Sequence, residues 1–98
     1  MSHNSSHKVY SVFDSKVKVF DPPFLMRNAA EALRSFSLAV NHHTNKDGKI
    51  ATFPADYTLF EIGEWNDLSG SISMYEAKTS LATGLDVKDT NTGIQALN

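Results

Sequence analysis

Cysteine is absent from this chain, and its absence excludes disulfides, thiolate metal sites and a cysteine nucleophile together. A cytoplasmic setting fits that usage, and a chain without cysteine would also suit secretion. No window approaches the ~18 consecutive apolar residues of a membrane span, so no membrane association is expected. No apolar run follows the polar start MSHNSSHK, so no secretory signal is expected. The chain also lacks a Gly-rich phosphate loop, a G-x-S-x-G elbow and an H-E-x-x-H pair, which points away from an enzyme and from a cofactor. A strong excess of one charge is missing too: the net charge is −2, weakly unfavourable for non-specific nucleic-acid binding. The distribution is less even. Residues 1–49 carry seven basic groups against four acids, a local +3, which leaves −5 for residues 50–98.

What remains is enough chain, at 98 residues, for one domain with a modest core. Residues 1–7 read as a disordered leader. KVYSVF and KVKVF alternate around Asp14-Ser15 and predict a β-hairpin, with Pro22-Pro23 ending the second run and Phe24–Met26 extending the sheet. Asn28 as N-cap, with Glu31 three residues on, opens a helix in a variant of the capping box. Leu33, Phe36, Ser37 and Val40 fall on one helical face, and the pattern stops near Asn41–His42. DYTLFEIGEW and SISMY, separated by turn residues, predict a second hairpin. The expected fold is α+β, β-β-α-β-β: an antiparallel sheet of two hairpins packed on one amphipathic helix over residues 8–76. Residues 77–98 read as a flexible tail.

Three constellations invite a chemical reading. In HTNKDGKI, Asn45, Asp47, Gly48 and Ile50 match positions 3, 5, 6 and 8 of an EF-hand loop. His43, Ala51 and Pro54 stand where positions 1, 9 and 12 should be, so two important oxygen donors are missing. A turn with Gly48 at positive φ is the better account. His42 and His43 diverge on a helix, and no set of three or four converging ligands is visible; no metal site is expected. Glu61 and Glu64, at i and i+3 of a strand, are expected on opposite faces and not as a cooperating dyad.

The first hairpin carries more. A two-residue turn at Asp14-Ser15 would pair Phe13 with Lys16, Val12 with Val17 and Val9 with Phe20. Tyr10, Val12, Val17 and Val19 then form the core face. Val9, Ser11, Phe13, Lys16, Lys18 and Phe20 form an uncovered one. Two aromatics beside two lysines make a stacking platform for single-stranded nucleic acid; the competing account covers Phe13 and Phe20 with the tail or a second subunit.

KVYSVFDSKVKVFDPPF, RNAAEALRSFSLAVN and FPADYTLFEIGEWNDLSG together resemble the small nonstructural protein of gokushoviruses, single-stranded DNA phages of the Microviridae. The resemblance spans roughly residues 8–75, and its third block is the most specific. It implies a non-enzymatic accessory protein in the host bacterial cytoplasm, associated with DNA binding or single-strand synthesis and packaging. Single-stranded viral DNA is then the expected partner, contacted by Phe13, Lys16, Lys18 and Phe20 with Arg27 and Arg34 as flanking phosphate contacts. A homodimer is expected. The alternative is an adaptor that docks on the replication initiator or procapsid without touching DNA.

Overall fold

The computed structural model describes residues 7–42 and 48–89. Five antiparallel strands form one sheet: β1 (His7–Asp14), β2 (Val19–Phe20), β3 (Phe24–Met26), β4 (Tyr57–Asn66) and β5 (Ser71–Thr83). Helix α1 (Ala29–His42) links β3 to the second half, followed by two short elements: α2 (Lys49–Thr52) and a 3₁₀ turn at Pro54–Asp56. A last turn of helix, α3 (Gly84–Val87), follows β5. The class is the α+β expected from the patterning. The hairpins are not separate units, however. β1 pairs along its length with β4, giving the order β2-β1-β4-β5, and β3 shares the outer edge of β1 with β2.

Helix α1 begins as its sequence dictates. The Asn28 side chain accepts a hydrogen bond from Glu31 N at 2.9 Å. The Glu31 carboxylate reaches back to Arg27 N at 3.1 Å, one residue before the cap, so the box is the variant expected. Ala32, Phe36 and Val40 are buried from α1, against Tyr10, Val12, Tyr57 and Leu59 from the sheet and Ile50 from α2. Phe24, Met26, Leu33, Leu81 and Val87 pack around this cluster. Each fully buried large side chain contributes about 1.5–3 kcal/mol of transfer free energy.

Four expectations need correction. The β1–β2 turn takes four residues, Ser15–Lys18, and pairs Phe13 with Phe20 and Asp14 with Val19. Asp14 explains why: its carboxylate accepts Lys16 N at 3.0 Å and Val17 N at 3.4 Å, and its carbonyl accepts Lys18 N at 2.8 Å. That is one helical turn, closed by Lys18 at φ 61. Val17 and Val19 are consequently exposed, at 62% and 51%, while Tyr10 and Val12 stay in the core. Second, β5 runs to Thr83, so residues 77–83 are strand and not loose tail. Its exposed, polar sequence hides it, because an edge strand needs little apolar surface. Third, a second helical element, α2, stands where one helix was expected in the whole fold; it is opened by Gly48, at the positive φ expected (φ 66), and takes in Ile50. Fourth, Glu61 and Glu64 share a face. Ile62 is an extra residue between the pairs Tyr10–Glu61 and Val9–Gly63, and this bulge resets the alternation.

Residues 1–6 of the expected leader, residues 43–47 of the EF-like loop, and residues 90–98 of the expected tail lie outside the described residues.

Candidate nucleic-acid interface

The register sorts the sheet into two chemically different faces. Tyr10, Val12 and Leu59 point to α1, and Lys8, Glu61 and Glu64 share that side through the pairs Lys8–Glu64 and Tyr10–Glu61. Both carboxylates are engaged there. Glu61 accepts from the Tyr75 hydroxyl at 2.5 Å, and Glu64 pairs with Lys8 Nζ at 2.8 Å. The Tyr10 hydroxyl is buried close by without an acceptor in hydrogen-bonding geometry among the described residues. Burial, the Glu61 carboxylate and more distant Glu31 push its pKa up to about 12. Burial and Glu61 raise Tyr75 as well.

The opposite face carries Val9, Ser11 and Phe13 from β1 and Phe60 from β4, none of them charged. Here the structure gathers three rings. Phe13 and Phe20 stand as a direct cross-strand pair, centroids 4.7 Å apart and tilted by 49°. Phe60 joins edge-on, 6.2 Å from Phe13 and 5.6 Å from Phe20. Ser11 supports this side by donating its hydroxyl to the Asp21 carbonyl at 2.7 Å. Lys78, on the far strand β5, sets its ammonium 5.7 Å from the Phe20 centroid, within cation–π reach. Residues 75–78 of β5 stand against Ile62 alone in the β4–β5 register, an irregularity immediately beside Lys78. Phe20 remains 41% exposed, so one ring of the cluster is open to a ligand.

Lys16 and Lys18 are exposed in the turn that joins β1 to β2, next to the Phe13–Phe20 pair. The turn is held from beneath. Ser15 N and Oγ both donate to the Asp56 carbonyl, at 2.9 and 3.0 Å. Burial of Asp14 opposes its charge. The amides of Lys16 and Val17, the Tyr57 hydroxyl and Lys49 outweigh that and hold its carboxyl below the usual range,. Tyr57 answers in the other direction: burial and its hydrogen bond to Asp14 push it up to about 12.

Of the six residues expected to act together, the structure pairs the two aromatics and leaves the two lysines exposed in the turn that joins their strands. Arg27 and Arg34 do not join them. Arg27 is committed to Glu31, with Nη2 at 2.7 Å and Nε at 3.1 Å from its carboxylate, and Arg34 sits exposed on α1, the helix covering the other side of the sheet. The sequence reading missed Phe60 and Lys78. Phe60 has a signal in the alternation of TLFEI once β4 is paired with β1; Lys78 has none, because its strand reads as tail. Among the described residues no group of three or more His, Cys, Asp or Glu side chains converges as a metal site, and no helix is long and apolar enough to cross a membrane.

The model of the phage ORF5 protein family matches residues 7–87, from the first residue of β1 to the last of α3. The chain belongs to the phage ORF5 protein family. The match includes residues 77–87, the strand and helical turn that the sequence alone suggested were tail. No curated protein and no solved structure matches the chain, so the family membership establishes a phage protein and leaves its chemistry to be argued from the site.

Proposed function

We propose that this protein is a nonstructural accessory protein of a gokushovirus-like phage that binds single-stranded viral DNA with little sequence preference in the host bacterial cytoplasm. The observation that carries the reading is the Phe13–Phe20–Phe60 cluster with Lys78 over its most exposed ring. Every base has a π-face, so stacking on Phe20 is sequence-tolerant and worth about 1–3 kcal/mol per base. Lys16, Lys18 and Lys78 then supply the phosphate contacts. Arg27, held by Glu31, is left out of the contact set, as is Arg34 on the helix side.

Three phosphate contacts predict a modest salt dependence: log K against log salt with a slope of about −2 for a single strand. Fluorescence anisotropy of a labelled oligothymidine across a salt series measures it. The expected result is that slope, with Lys16→Glu/Lys18→Glu abolishing binding and Phe20→Ala weakening it at unchanged circular dichroism. Binding indifferent to salt and to both changes would sink the proposal. The exposed apolar side chains Leu25, Ile72 and Met74 favour a second reading, an adaptor for the replication initiator or procapsid. Its signature is a nuclease-resistant pull-down of one of those proteins together with no oligothymidine binding.

A further inference from the structure

β5 is the longest strand of the sheet and lies at its end, where among the described residues it pairs with β4 alone. Native sheets protect such edges with charges, prolines and bulges. The second half of β5 has these devices: Glu76, Lys78 and the irregular stretch between the Met74–Gly63 and Thr79–Glu61 pairs. The first half has none. Ser71-Ile72-Ser73-Met74-Tyr75 contains no charge, proline or glycine, and keeps regular register with β4 from Asn66–Ser71 to Gly63–Met74. Ile72 and Met74 project to the face that carries Val9 and Phe60, 46% and 55% exposed, and Ile72 stands directly beside Trp65 of β4.

We propose that this half-strand is a homodimer interface, in which β5 pairs antiparallel with β5 of a second copy about a two-fold axis at Ser73. The segment is self-complementary in that register alone. Centred on Ser73, Ile72 of each copy faces Met74 of the other and Ser71 faces Tyr75, so the apolar stripe of Trp65, Ile72 and Met74 continues from one sheet into the next. Moving the axis to Met74 sets Glu76 against Ile72. Moving it to Ile72 draws Gly70, a turn residue at φ 71, into the ladder opposite Met74. An axis on Ala77 would match Glu76 with Lys78, but it falls in the irregular stretch, and Lys78 lies over Phe20. A second copy is the occupant because an isologous contact requires the same patch on both partners, and an uncharged alternating segment meets itself without repulsion. The resulting dimer carries two aromatic sites on one continuous sheet, leaving Phe13, Phe20 and Phe60 outside the contact.

The cysteine-free sequence makes the test clean, because an introduced thiol is unique. A residue on the axis faces its own copy, and antiparallel Cα separations of about 4.5–5.5 Å match those a disulfide spans. Ser73→Cys, exposed in the free chain, is expected to form an intermolecular disulfide on mild oxidation, at least tenfold faster than Ala77→Cys. Sedimentation of the unmodified protein is expected to give twice the monomer mass at micromolar concentration, and Ile72→Glu/Met74→Glu to give the monomer with unchanged circular dichroism. A monomer for the unmodified protein would overturn the dimer, whether the edge is then covered by residues 90–98 or by another protein. A dimer in which Ala77→Cys links as fast as Ser73→Cys would overturn this interface. Neither outcome bears on oligothymidine binding, which is read separately.

Discussion

Lys18 carries a conformational strain and a charge at the same position. At φ 61 it is the one described non-glycine residue with positive φ, and it closes the turn that Asp14 caps. A left-handed L-residue costs roughly 1–2 kcal/mol, and glycine's larger unfolded-state entropy offsets roughly 0.5–1 of any gain from replacing it. Lys18→Gly is therefore expected to raise stability by about 0.5–1 kcal/mol in urea unfolding while weakening oligothymidine binding. Opposite movements in the two measurements mark strain retained for function; a variant that gains stability and binds equally well would remove Lys18 from the site. This turn also shows where residue-level reading stops. Asp-Ser is a weak two-residue turn signal, and only the three hydrogen bonds on Asp14 reveal a four-residue one. The faces were nevertheless assigned correctly for Phe13 and Phe20, because the true register differs by an even number of residues.

Elements whose signals are local were legible, and elements defined by distant partners were not. The cap of α1 and its buried Phe36 and Val40 follow from spacing within a dozen residues, as do Val9–Phe13 and the strand character of Tyr57–Asn66. β5 beyond Tyr75 and α3 did not, since what fixes them is non-local. Thr83 and Asp86 do form a capping box for α3, but a four-residue helix is too short to show a periodic pattern of its own. Asn41, at the end of α1, then clamps the segment: its amide donates to the Val87 carbonyl at 2.9 Å, and its carbonyl accepts Asp89 N at 2.6 Å. Gly84 fits because it has no side chain, since a β-carbon there would overlap the Pro54 carbonyl oxygen. Backbone cannot yield as a flexible side chain can, so Gly84→Ala is expected to cost about 1–3 kcal/mol. Thermal unfolding measures the loss, and faster hydrogen exchange across residues 84–89 locates it. An unchanged melting temperature would mean that α3 does not sit against the 3₁₀ turn.

For the molecule as a whole, the buried tyrosines set its alkaline limit. Tyr10 and Tyr57 are both pushed up to about 12, from an ordinary value near 10. A folded-state pKa raised above the unfolded one gives stability that is complete below the unfolded value and disappears as pH rises through the folded one. Guanidinium midpoints should therefore hold to about pH 10 and fall toward pH 12. Tyr10→Phe should flatten that fall and leave neutral-pH stability nearly intact, because the hydroxyl it removes has no acceptor in hydrogen-bonding geometry among the described residues,. A midpoint level to pH 12 would contradict the burial of both hydroxyls. The placement of β1 has a consequence on another axis, that of time. Its outer edge is closed early by β2 and β3, but its inner edge waits for β4, more than forty residues later in the chain. A ribosome delivers β1 and α1 before the strand that completes their core exists. Such long-range closure forms more slowly than contacts between neighbours in the chain. Until β4 arrives, Phe13 and Phe20 stand without Phe60, so the surface that the finished protein offers to a ligand is the one its nascent chain must protect from aggregation.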